Sequence, residues 1–145
     1  DERHHDDWTL DDLETAGIDR SDVVEVMPAA NVAALVGAQY YWVLHHHPVA
    51  ILGYMIMLEF NAPAPETIIE MQRRTGLPGT VFRSHMLHAE LDPHHQAELF
   101  ELVDELDLSD GQLRLVTESA IHTGRMLADC LAHPEGWGTL AAGRS

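Results

Sequence analysis

Lysine is absent from this chain. All eight basic residues are Arg, against 24 Asp and Glu, and the formal net charge is −16. So anionic a surface repels phosphate backbones and acidic headgroups, so neither nucleic acid nor a membrane surface is an expected partner. Cysteine is nearly absent as well. With Cys130 alone, no disulfide can close within the chain, and a reducing cytoplasm is the expected location. Cys130 lies in an apolar helical stretch and reads as a small buried hydrophobe. Long apolar runs are missing. The most apolar stretch, Tyr54 to Leu58, is ended by Glu59 and falls far short of the ~20 residues a bilayer span needs. No signal peptide is visible, and a chain opening on Asp1 instead of Met is expected to begin further upstream in its natural form. Runs of strict apolar and polar alternation are lacking too, which removes the main signal for strands.

What is present is helical periodicity. A length of 145 residues suits one domain with one core. The pattern predicts a first helix from Glu2 to Ala16, with Trp8, Leu10 and Leu13 inward and Gly17 as its stop. Asp19 and Ser21 are candidate N-caps after it. A second long helix is expected from Ala29 to His46, and Pro48 either kinks it or starts the next. Residues Val49 to Phe60 are apolar nearly all round, the mark of a helix buried on most sides. Residues 61–65 break the pattern, and a short helix follows from Ala64 to Thr75 with Gly76 behind it. A further helical stretch runs from Pro78 through Leu106 with Pro93 inside it. Ser109 and Asp110 open a last helix ending near His133, and the small, polar tail from Gly136 to Ser145 is expected to fray. The expected class is all-α, a bundle with short connections.

Histidine is over-supplied, with 11 in the chain. The sharpest cluster is His88-Ala89-Glu90-Leu91-Asp92-Pro93-His94-His95. On one continuous helix, residues four and seven apart share a face, so His88, Asp92 and His95 would form a stripe of two imidazoles and a carboxylate. Two His and one carboxylate suit iron(II) with open positions. Two other places could complete a two-metal site. Glu59 ends a buried apolar helix, where a carboxylate is costly unless paired or metal-bound. Glu2 and His5 stand three apart, the Glu-x-x-His spacing of di-iron bundles. A different reading competes at each. Asp92-Pro93 is also a strong helix start, which would split the stripe into two short helices. Glu59 could be an exposed helix end, and Glu2 and His5 could be solvated.

Other polar residues are weaker candidates. His45, His46 and His47 point about 100° apart on a helix and cannot form one site. Tyr40 and Tyr41 could line a substrate pocket, although core packing suits them better, and Met55 and Met57 read as packing. His85, one turn before His88, either supports that site or, by default, lies at the surface, His122 faces either a site or a core hydrogen bond, and the run Glu98, Glu101, Asp104, Glu105 is a solvated face.

Three blocks together resemble the iron-containing redox enzyme family, the haem-oxygenase-like di-iron oxidases and oxygenases. They are Glu2-Arg3-His4-His5-Asp6-Asp7-Trp8 running to Ala16-Gly17-Ile18-Asp19, then Tyr40-Tyr41-Trp42 through His47-Pro48 to Leu58-Glu59, then His88 to His95. The His-x-x-x-Asp-x-x-His block is the most specific, and its separation from Glu59 and His5 also fits. The resemblance implies one haem-oxygenase-like helical domain over residues 1–145, the C-terminal part of a longer chain whose first helix or helices are missing. It implies metal ligands at Glu2, His5, Glu59, His88, Asp92 and His95, and two iron ions that reduce dioxygen to oxidise a small organic substrate. An external electron donor is then needed, and a homodimer is compatible with it. Two rivals stand beside this reading. One is a metal-free enzyme on the same fold, like the thiaminase-type or quinone-cofactor-synthesis proteins. The other is a non-catalytic metal-binding helical module. Haem itself fits poorly, because Glu59 is an awkward neighbour for a haem face.

Overall fold

Gly17 stops the first helix at a backbone conformation (φ +88°) that side-chain-bearing residues rarely adopt. The helix before it, α1, covers His5–Thr15. The computed structural model describes residues 5–133, so Glu2 and the tail from Gly136 lie outside the described residues. Asp19 caps α2 (Arg20–Glu25) by accepting the Ser21 N–H at 2.8 Å. Bonds from the Ser21 hydroxyl and then its N–H hold the Asp19 carboxyl below its ordinary value. Helix α3 spans Ala30–His45 and α4 spans Ala50–Glu59. Pro48 falls in the gap, so it precedes α4 and kinks nothing. Helix α5 (Pro65–Thr75) starts on proline and ends at Gly76, φ +69°. The stretch from Pro78 resolves into a 3₁₀ turn at Gly79–Phe82 followed by α6 (Arg83–Glu105). Ser109 opens α7 (Asp110–Ala132) with a capping box shared with Gln112. All regular structure among the described residues is helical, as the periodicity predicts.

The chain forms two compact units, and α6 contributes to both. The first holds α1, α2, α5, the 3₁₀ turn and α6 up to Pro93. Its buried anchors are Ile68 and Phe82, with Asp12 and Ser84 buried beside them as polar groups. Arg20 reaches back to α1, donating to Asp7 at 2.9 Å and Asp11 at 2.7 Å, with Glu14 at 3.8 Å. Residues 7, 11 and 14 share one helix face, so a single guanidinium serves all three. Trp8, Leu10 and Leu13 are half-buried, and Asp12 is the most enclosed residue of α1.

The second unit holds α3, α4, α7 and α6 from His94 onward. Its core is Val49, Leu52, Leu99 and Val116, packed with Met55, Ile56, Val103, Leu108 and Leu115. Helices α4 and α7 cross closely at Gly53. A Cβ there would lie 2.1 Å from the Val116 carbonyl oxygen and 2.7 Å from the Ala120 nitrogen. Beside this crossing lies a small polar network. The Ser119 hydroxyl donates to Gln39 Oε1 at 3.0 Å, Gln39 Nε2 donates to the Thr123 hydroxyl at 3.3 Å, and that hydroxyl donates to the Ser119 carbonyl at 2.8 Å. All three residues are buried, so the bonds remove what would be a costly burial of polar groups. Cys130 is buried as expected. Tyr40 and Tyr41 depart from expectation: they are 66% and 56% exposed. Helix α3 buries the face of Leu35 and Gln39, one turn apart, which turns Tyr40 and Tyr41 outward.

Candidate metal centre

Helix α6 is unbroken through Asp92 and Pro93, so the reading of two short helices does not hold. The backbone condition for a stripe at positions 88, 92 and 95 is met. The side chain of Asp92 lies outside the described residues, as does Glu2. The other four candidate ligands occur as two pairs, one in each unit.

The first pair joins α1 to α6. His5 Nδ1 lies 3.1 Å from His88 Nε2, and the two rings meet edge to face. Trp8, one turn after His5, stacks on its imidazole with ring centres 4.1 Å apart. His88 Nδ1 is 2.8 Å from the Ser84 carbonyl oxygen one turn back. A carbonyl only accepts, so Nδ1 of His88 carries a proton, and in the neutral ring Nε2 is then the nitrogen with the lone pair. A ligand histidine adopts this arrangement, one nitrogen on a carbonyl and the other on the metal. Ser84 is itself held. Its N–H and hydroxyl both donate to Asp12 Oδ2, at 2.7 and 2.6 Å.

The second pair joins α4 to the later half of α6. His95 Nδ1 lies 3.3 Å from Glu59 Oε2, with side chains only 14% and 9% exposed. Gln96 fixes the end of α4, its amide donating to the Glu59 carbonyl oxygen at 2.7 Å. Glu59 is therefore a buried carboxylate and not an exposed helix end.

The donor spacings fit a shared cation. Two donors each ~2.1 Å from one ion stand ~3.0 Å apart at a right angle and ~3.4 Å apart at a tetrahedral angle. The observed 3.1 and 3.3 Å fall in that range, and without metal the same distances serve as hydrogen bonds. Among the described residues, no three or more His, Cys, Asp or Glu side chains gather as a metal-holding group. A fuller set would draw on Glu2 and the Asp92 carboxylate.

The other histidines among the described residues make local contacts. His47 Nδ1 accepts the Val49 N–H at 3.1 Å, and its Nε2 meets the Gln112 amide at 3.1 Å. His45 and His46 pack against the Tyr41 ring. His122 lies edge-on to Trp42 with Nε2 3.4 Å from the Ala34 carbonyl oxygen, which favours the packing role over the site. His85 is half-buried against Phe82. His94 pairs with exposed Glu98 at 3.3 Å. The sequence reading missed Asp12 and Ser84. The only hint was that Asp12 follows His5 by seven residues, hence on the same face of α1.

The second unit also carries an apolar groove of about 420 Å³ between α3 and α4. Val36, Val43, Pro48 and Ile51 line it, with Gln39, Tyr40 and Tyr54 as its polar members. Burial raises the pKa of the Tyr54 phenol.

Compared with known proteins, residues 1–127 match the model of a family described as iron-containing redox enzymes. No curated protein and no solved structure matches the chain.

Proposed function

The chain belongs to the iron-containing redox enzyme family, whose all-α, haem-oxygenase-like fold its helices fit, and from that premise we propose that it is a non-haem di-iron oxidase or oxygenase acting on a small organic substrate. The observation that carries the reading is the meeting of His5 and His88. Residues 83 positions apart bring ring nitrogens to 3.1 Å, with the second nitrogen of His88 on a carbonyl. Two imidazoles held in this way are more than core packing requires.

On this reading His5, Glu59, His88, Asp92 and His95 are ligands, with Glu2 as a sixth. Bound iron would supply the electron-transfer chemistry that activates dioxygen, and an external donor returns the electrons. The chain's own residues do the rest. The Ser84 carbonyl holds the Nδ1 proton of His88 and leaves Nε2 to bind metal. The Trp8 indole covers one face of His5 and restricts its rotation. The buried Glu59 carboxylate offsets cationic charge, which also relieves the cost of its own burial.

Anaerobic loading of the full-length chain with iron(II), then exposure to oxygen, tests this. The expected result is about two irons per chain and a transient visible band. His88→Ala and Glu59→Ala should each lose two-iron binding. A folded full-length chain that takes up no iron rejects the proposal and favours the metal-free enzyme. Stable iron without any response to oxygen favours the binding module. Two irons retained in either variant rejects that residue as a ligand.

A further inference from the structure

Asp12 is 6% exposed in a chain whose other carboxylates mostly face solvent. It belongs to α1, yet both of its hydrogen bonds given above go to Ser84, the second residue of α6. First-turn N–H groups of a helix have no partner within that helix, and they favour a negative charge. Asp12 therefore caps α6 from another helix.

The capped residue is also the one that orients His88. The Ser84 N–H and hydroxyl are fixed by Asp12, and the Ser84 carbonyl receives the Nδ1 proton of His88 at 2.8 Å. His5, seven residues before Asp12 on α1, faces the opposite nitrogen of the same ring. One helix thus holds both ends of the arrangement. Asp12 anchors the backbone turn from which His88 hangs, and His5 meets the nitrogen left with the lone pair.

We infer that Asp12 is a positioning residue for His88, acting through Ser84 to set the ring's tautomer and so its affinity for metal; this rests on reading His88 as a ligand. The alternative is a helix cap with no influence on the ring. The two differ in what the ring does once the carboxylate is removed and the helix still forms.

The test uses the full-length chain and three variants. Asp12→Ala removes both bonds. Asp12→Asn keeps an oxygen that can accept them and loses the charge. Ser84→Ala keeps only the N–H bond. Thermal unfolding reports whether each variant folds. Imidazole ¹⁵N spectra of the metal-free protein report the His88 tautomer, and visible titration with cobalt(II) reports affinity. In the parent, His88 should be a single Nδ1-protonated tautomer. Asp12→Ala should mix the tautomers and weaken cobalt(II) binding roughly 10–100-fold. Asp12→Asn should keep the tautomer and lose about threefold to tenfold. A folded Asp12→Ala protein with parental tautomer and parental affinity overturns the inference. Should Asp12→Ala not fold, unchanged affinity in both Asp12→Asn and Ser84→Ala overturns it equally. A parent that binds no cobalt(II) counts against His88 as a ligand, while the tautomer spectra still decide whether Asp12 sets the ring.

Discussion

Glu59 and Tyr54 stand five residues apart on α4, one beside His95 and the other at the apolar groove. Tyr54 faces the apolar groove, where the neutral phenol is favoured and its pKa rises above the ordinary 10.0. The sign for stability follows. A raised folded-state pKa means that the folded chain holds its proton more tightly than the unfolded chain. The contribution is fully present below about pH 10 and is lost as pH climbs through the folded value. Ultraviolet titration of phenolate should show a component above pH 10 that Tyr54→Phe removes; survival of that component assigns it to another tyrosine. At this scale the sequence pointed to Glu59, His88 and His95 by type and spacing. It could not distinguish a buried Glu59 from a solvated one, because that depends on whether His95 and Gln96 come to meet it.

Helix pairs decide more than single residues do. The α4–α7 crossing leaves no room for a side chain at residue 53, and the obstructing atoms are backbone. Gly53→Ala therefore has to push two helices apart, and the expected cost is about 2–3 kcal/mol, a fall in Tm of roughly 5–10 °C. Gly124→Ala is the control. Its new Cβ would meet only the flexible end of Met57, 2.8 Å away at the methyl carbon, and alanine is the better helix former. Calorimetry on the two variants separates the cases, and equal Tm values would show that the crossing is not tight. Element ends were legible from local chemistry: Gly17, Gly76, Ser109 and the proline that starts α5 all act where their types suggest. Pro93 allowed two readings, inside one continuous stretch or at the start of a second helix, and α6 takes the first.

Across the whole molecule the formal charge of −16 is the dominant long-range term. Arg20 and Arg73 each draw in neighbouring carboxylates, but eight arginines cannot balance 24 acids. The remaining repulsion opposes folding and is screened by salt. Raising ionic strength from ~0.01 to ~0.15 M shortens the screening length from ~30 to ~8 Å and should raise Tm. A Tm that stays constant or falls would mean that the acidic residues are spaced too widely to repel. The same charge sits behind the expected indifference to nucleic acid, for which retention on immobilised DNA is the simple check.

The sequence by itself determined the helical class, most helix ends, the anionic character and the short roster of candidate metal-ligand side chains, because each follows from residue type and from spacing within one helix. Tertiary structure alone decided which of those side chains meet. His5 and His88 are 83 positions apart, and Asp12 and Ser84 are 72 apart, so no local pattern couples them. Their pairing depends on how α1 packs against the 3₁₀ turn that leads into α6, where Phe82 is buried. The outward turn of Tyr40 and Tyr41 has the same origin: a helix chooses its buried face only when it has another helix to bury it against.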